Sequence, residues 1–151
     1  MRAFTTRKIN TIQPEIAALS YKLLDDLKSN NVDILKEFAT QLPVIVIARL
    51  LGVPETMAQD LLSWSNDMVM MYQARRTKEL EIKANSSTKE FVSFMEKYIE
   101  EKRYKPEDDL ISHLIAAEQA GEKLTKDELI STCILLLNAG HEATVHTLGN
   151  G

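Results

Sequence analysis

Apolar residues recur every three or four positions along most of the chain and nowhere alternate over more than a few residues. That pattern predicts an almost all-α protein with no sheet of its own. Pro14 at a first-turn position opens the first helix, in which Ile16, Leu19, Leu23, Leu24 and Leu27 recur at helical spacing before Asn30 and Asn31 stop it. The apolar-rich piece from Asp33 to Leu51 is split at Leu42, because Pro43 removes a backbone donor and disfavours helix at the residue before it. Its second half ends at Gly52. Pro54 then begins a helix carrying Met57, Leu61, Leu62, Trp64, Met68, Met71 and Tyr72, a methionine-rich face that suits either plain core or an adaptable binding surface.

A long helix follows from about Thr77 to Arg103, charged over most of its surface, with Phe91, Phe94, Met95, Tyr98 and Ile99 on one stripe. Lys105 and Pro106 end it. Asp109 to Ala120 forms a shorter helix around Leu110, Leu114 and Ile115, and Gly121 supplies its left-handed stop. Thr125 and Glu128 form a Ser/Thr-x-x-Glu capping box, which fixes the start of the last helix. That helix runs through Leu129, Cys133, Ile134 and Leu136 into Asn138, Ala139, Gly140, His141, Glu142, Ala143 and Thr144, and the chain stops at Gly149, Asn150, Gly151 without a closing element. No repeat or linker divides the 151 residues, so residues 1–151 read as one helical unit.

Composition narrows the function. A net charge of −4 with mixed signs lacks the clustered Lys and Arg from which nucleic-acid affinity comes. The one basic cluster, Arg75, Arg76 and Lys78, is followed at once by Glu79 and Glu81 and reads as a solvated face. A single cysteine, Cys133, excludes an internal disulfide and fits the cytoplasm. The most apolar stretch, Leu42 to Leu51, is too short to span a bilayer and carries Arg49, so no membrane partner is expected.

Chemistry concentrates where the last helix turns polar. An acid there is costly to bury unless something uses or satisfies it. His141, Glu142 and His146 suggest the zinc signature of two histidines around a glutamate, in which ligands four apart share a helix face. These are five apart and point about 140° away from each other, so no metal-ligand set is expected. Glu142 and His146 are four apart and can pair, and a buried polar pair at a helix kink, with Gly140 weakening the helix, is the plain structural account.

Ala139 to Thr144 also resembles the Ala-Gly-x-Glu/Asp-Thr-Thr segment in the long distal helix of cytochrome P-450, the haem-thiolate monooxygenases. Phe4 to Arg7, Leu42-Pro43-Val44, Leu51 to Glu55, and Trp64-Ser65 are similar to successive landmarks of the soluble bacterial branch, in their usual order. The resemblance covers nearly the whole chain. It implies a fragment of the cytochrome P-450 fold, from its fourth helix to the distal ninth, and a monooxygenase that hydroxylates a small organic substrate with haem-activated oxygen. By carry-over, Glu142 is the acid of the proton relay, with Ala143 and Thr144 beside it; Ala139 and Gly140 face the cofactor; Leu135 and Asn138 on the long helix, with Met68 and Met71 in the lid, touch substrate. Ala143 stands where the family usually has threonine, and Thr144 lies one residue on, about 100° further round. Some macrolide-hydroxylating relatives share that alanine, which implies a hydroxyl-bearing substrate.

The family's cysteine-ligand loop, its Glu-x-x-Arg pair and its haem-propionate segment are not in this sequence. Cys133, inside the last helix, reads as a small apolar residue rather than an iron ligand. The resemblance implies haem and a ferredoxin-type or flavoprotein redox partner in the complete enzyme, and no tight haem binding by this chain alone. Two readings of function stand: an internal piece of a monooxygenase that is inactive by itself, or a stand-alone helical interaction module or gene-decay remnant. A last helix apolar on most sides also predicts self-association.

Overall fold

The computed structural model describes residues 6–27, 31–119 and 125–151. Expectations for Phe4, Thr5, Asn30, Ala120 and Gly121 fall outside them. Among the described residues, six α-helices make up the body: α1 (Thr6–Asp25), α2 (Gln41–Leu51), α3 (Ala58–Val69), α4 (Lys78–Tyr104), α5 (Leu110–Gln119) and α6 (Lys126–Asn150). A π-helical turn (Leu35–Ala39) precedes α2, and 3₁₀ turns (Glu55–Met57 and Met70–Tyr72) bracket α3. Among the described residues there is no strand, and no helix is long and apolar enough to cross a membrane.

Two boundaries differ from the sequence expectation. The first helix starts at Thr6, so Pro14 lies inside it rather than in its first turn. Proline there gives up the bond to the carbonyl of Asn10; both residues are exposed, and water can take up that carbonyl. The break in the second apolar piece falls at Thr40, after the π-helical turn, and α2 starts at Gln41. Pro43 is then third in its helix, where an amide would have had no intrahelical acceptor anyway.

The remaining stops and starts are local chemistry. Gly52 takes φ +81°, its amide reaches the Arg49 carbonyl (3.1 Å), and the Val53 amide reaches Ala48 (2.9 Å), closing α2 in a Schellman motif. Thr77 caps α4 by accepting from the Leu80 amide (3.3 Å), with Glu79 and Glu81 in the first turn and Lys102 and Arg103 in the last. The capping box of α6 is complete: the Thr125 amide donates to Glu128 Oε2 (2.7 Å) and the Glu128 amide to Thr125 Oγ1 (3.2 Å).

The core forms where α2, α3, α4, α5 and α6 meet, around Val44, Leu51, Leu61, Phe91, Ile111 and Leu137. Helix α4 buries Phe91, Met95 and Ile99 at spacings of four, with Phe94 and Tyr98 half-buried on its flank. Trp64 of α3 sets its ring edge-on to Phe91 (5.8 Å) and tilted on Phe94 (5.7 Å), while its Nε1 donates to Glu90 (3.1 Å). Helix α6 packs on α2 and α3, and near its end Gly149 lets Leu35 of the π-helical turn approach: a Cβ there would lie 3.1 Å from Leu35 Cδ1.

One buried ionic joint ties these elements together. Lys102 of α4, 6% exposed, donates to Asp109 (2.6 Å) and Glu107 (2.6 Å), and lies 5.5 Å from the centre of the Tyr98 ring. Asp109 Oδ1 also accepts from the Ser112 amide (2.8 Å), and the Tyr98 hydroxyl donates to the Gly52 carbonyl. Burial pulls the Lys102 ammonium down, and its bonds to Asp109 and Glu107 more than reverse this, leaving it above the ordinary lysine range.

Candidate active-site face of the last helix

Along α6 the buried positions are Leu129, Ile130, Cys133, Leu137, Asn138 and His141, which face the neighbouring helices. The opposite side carries Leu135 (66% exposed), Ala139, Glu142 and Ala143. Glu142 is therefore not a buried carboxylate here: its side chain is 47% exposed, and its partner His146 is more exposed still. Their closest approach, Glu142 Oε1 to His146 Nε2, is 3.7 Å, and exposed pairs of this kind contribute at most about 1 kcal/mol. The helix also runs unbroken through Gly140, so the expected buried pair at a kink is replaced by an exposed pair on continuous helix. The acid is outward because Asn138 and His141, three apart, take the inward positions next to it.

Those inward positions are polar and unsatisfied. Asn138 Oδ1 and His141 Nε2 are buried without a hydrogen-bond partner, as is Ser65 Oγ on the facing α3. Each such atom costs about 1–3 kcal/mol if nothing else meets it. Burial pushes the His141 imidazole below its ordinary value, and the Thr40 backbone carbonyl partly offsets this.

Two grooves flank the acid. The first, of about 430 Å³, brings Leu135, Asn138, Ala139 and Glu142 together with Val69 and Tyr72 from the end of α3 and the turn after it. The second, of about 310 Å³, mixes polar residues (Thr40, Asp67, His141 and His146) with apolar Val69, Met70 and Val145, and Glu142 lines this one as well. Met68 is buried in the core and Met71 half-buried, and neither lines the first groove; Val69 and Tyr72 do. Val69 and Tyr72 are three apart, a helical pairing the sequence contains but which the methionine-rich face obscured.

The remaining expected residues sit as follows. Thr144 is exposed, and its Oγ1 donates to the Gly140 carbonyl (2.8 Å). A Cβ at Gly140 would lie 3.1 Å from Ile47 Cδ1, so the missing side chain there serves the close approach of α2. Cys133 is fully buried, and burial pushes its thiol up to about 12, far from the thiolate an iron ligand requires.

The sequence profile of the family described as cytochrome P-450 matches residues 24–151. The chain belongs to the cytochrome P-450 family. It is 42% identical over 151 residues to the polyketide biosynthesis cytochrome P-450 PksS of Bacillus subtilis (strain 168), covering 99% of this chain and 36% of that protein. It is 36% identical over 152 residues to the vitamin D(3) 25-hydroxylase of Pseudonocardia autotrophica, with the same coverage. Among solved structures, P450BioI in complex with hexadec-9Z-enoic acid ligated acyl carrier protein superposes with a TM-score of 0.91 at 31% identity, covering 99% of this chain and 39% of that one. The chain thus spans little more than a third of these cytochromes P-450, and its all-α body is a fragment of their fold.

Proposed function

We propose that this chain supplies the distal helix and substrate lid of a cytochrome P-450 that hydroxylates a small, largely apolar, hydroxyl-bearing organic molecule. The observation that carries this is the first groove, where Leu135, Asn138, Ala139 and Glu142 of α6 meet Val69 and Tyr72. The groove offers apolar wall, a carboxamide, a carboxylate and the hydroxyl-bearing Ser131 and Tyr72, a composition suited to a small organic ligand. The relatives support an apolar substrate, since they include a vitamin D(3) 25-hydroxylase and a complex holding a sixteen-carbon acyl chain.

The residues present fit one face of a haem and not its axial ligation. Ala139 and Ala143 lie on the exposed side of α6 and leave room for a flat macrocycle against the helix. Cys133, buried and protonated, gives no iron ligand, so tight haem binding belongs to the complete enzyme. There the haem supplies the redox and oxygen chemistry, with electrons from a ferredoxin-type or flavoprotein partner. This chain's own residues bind and orient substrate through Leu135, Asn138, Val69 and Tyr72 and hold a proton at the Glu142 carboxyl. With alanine at position 143 and the Thr144 hydroxyl donated to Gly140, an ordered water or a substrate hydroxyl completes the relay.

The chain alone is inactive on this reading, and it self-associates in the cytoplasm unless its exposed apolar residues, Leu135 and Leu148 on α6 with Ile34 and Leu35, are covered. The test is Glu142→Gln in the complete enzyme. Product formed per oxygen consumed falls about 100-fold, the usual range for losing a proton donor, far more than any change in substrate affinity caused by altering that wall of the groove. Full coupling in that variant would refute the assignment.

A further inference from the structure

His141 is a buried polar group that the relay does not use. Its ring is 4% exposed, and the Thr40 backbone carbonyl accepts a hydrogen bond from it. Nε2 has no partner, so the donor is Nδ1 and the neutral ring carries its proton there. The acceptor is held firmly. Thr40 closes the π-helical turn with its amide (2.9 Å) and its hydroxyl (2.7 Å) both on the Leu35 carbonyl. At the start of the turn Asp33 Oδ1 accepts from the amides of Leu35 (3.1 Å) and Lys36 (3.2 Å).

The two halves of α6 are seated differently. Leu129, Ile130, Cys133 and Leu137 hold the first half by apolar contact, which has no preferred direction. Past Asn138 the helix comes close to α2 and the π-helical turn: a Cβ at Gly140 would lie 3.1 Å from Ile47 Cδ1, and one at Gly149 3.1 Å from Leu35 Cδ1. Bare α-carbons permit that approach without fixing its angle. The His141 bond lies between these contacts in sequence and supplies the direction, because a hydrogen bond weakens steeply once its angle is lost. All three contacts are made by the chain's own atoms on the side of α6 turned towards α2 and the π-helical turn, so they do not depend on what covers the other side.

We propose that His141 is a positioning residue, whose bond to Thr40 fixes the rotation of the second half of α6 and so the direction in which Asn138, Ala139 and Glu142 meet the first groove. Glu142 follows His141 about 100° round the axis, so a turn that takes the ring off Thr40 swings the carboxylate through the same angle. For its effect on the reaction the inference rests on that groove being the substrate site proposed above. The ring adds direction while adding little stability, since the unpartnered Nε2 offsets the Thr40 bond.

Two variants of the complete enzyme separate direction from packing. His141→Phe keeps the ring's bulk and has no N–H; His141→Asn is smaller and holds an amide N–H close to where Nδ1 stands. In crystal structures, His141→Phe loses the approach of Gly140 to Ile47 and of Gly149 to Leu35, whereas His141→Asn, still bonded to Thr40, retains both. Product per oxygen falls about 10- to 100-fold in His141→Phe, the upper figure being the scale of a misplacement of about 1 Å. It recovers in His141→Asn, although that variant is the less stable of the two in urea because it leaves a cavity. Both approaches kept in His141→Phe, or both lost in a His141→Asn bonded to Thr40, overturn the proposal, as does product per oxygen that follows stability in urea rather than the Thr40 bond. If α6 turns in His141→Phe with product per oxygen unchanged, the positioning stands and the first groove is not the substrate site.

Discussion

The joint around Lys102 and the middle of α6 both place polar groups inside the protein, and they treat them in opposite ways. At the joint, Lys102 has two carboxylate partners and Asp109 has an ammonium and an amide. In α6, Asn138 Oδ1 and His141 Nε2 have no partner, and the one strong acid of the segment faces outward. A satisfied buried network belongs to the architecture of the fold; an unsatisfied one, beside grooves, marks where atoms beyond these 151 residues are expected.

That contrast breaks most visibly at Lys102. Lys102→Met leaves Asp109 buried without its counter-ion and lowers unfolding free energy by about 3–5 kcal/mol in urea titration. Because the folded ammonium titrates above the ordinary lysine range, the wild-type contribution is complete below about pH 10 and is lost as pH rises further, whereas the variant lacks this alkaline decline. Gly52→Ala comes next, at about 2 kcal/mol, since alanine is strained at φ +81° and its Cβ would collide with the Asp109 carboxyl.

On the α6 side the sign reverses. His141→Phe removes an orphaned nitrogen together with the ring's bond to the Thr40 carbonyl, and the two losses roughly offset, leaving stability within about 1 kcal/mol of wild type above pH 7. Its folded pKa is depressed, chiefly by burial, so the wild type loses stability as pH falls below about 6.5 and the phenylalanine variant does not. A clear loss of stability in His141→Phe would show that the inward imidazole is architectural after all. The smallest effect is that of Glu142→Gln, which shifts stability by less than about 0.5 kcal/mol because its ion pair is exposed.

What the sequence makes legible divides along the same line. The capping box at Thr125 and Glu128, the stop at Gly52 and the long helix ending near Arg103 depend on neighbours within a few residues, and each appears where the pattern puts it. Pro14 misleads because its tolerance depends on solvent at Asn10, which no local rule reports. The acid's outward position, and the lining of the first groove by Val69 and Tyr72 rather than Met68 and Met71, turn on a single residue's rotation of about 100° about a helix axis. That rotation is decided by how α3 and α6 dock. The Lys102 joint was invisible for a related reason: its ligands lie beyond the end of α4, and Pro106 intervenes.

Gly52 is the point where distant parts of the chain converge. Its carbonyl receives the hydroxyl of Tyr98, 46 positions later, and its bare α-carbon makes room for Asp109. Such a meeting gains nothing until α2, α4 and α5 are already packed, and closing chain loops of that length carries an entropic cost that local turns avoid. If the joint closes last, Lys102→Met raises the unfolding rate more than it lowers the folding rate, so the joint would set how long the folded chain persists rather than how quickly it arises.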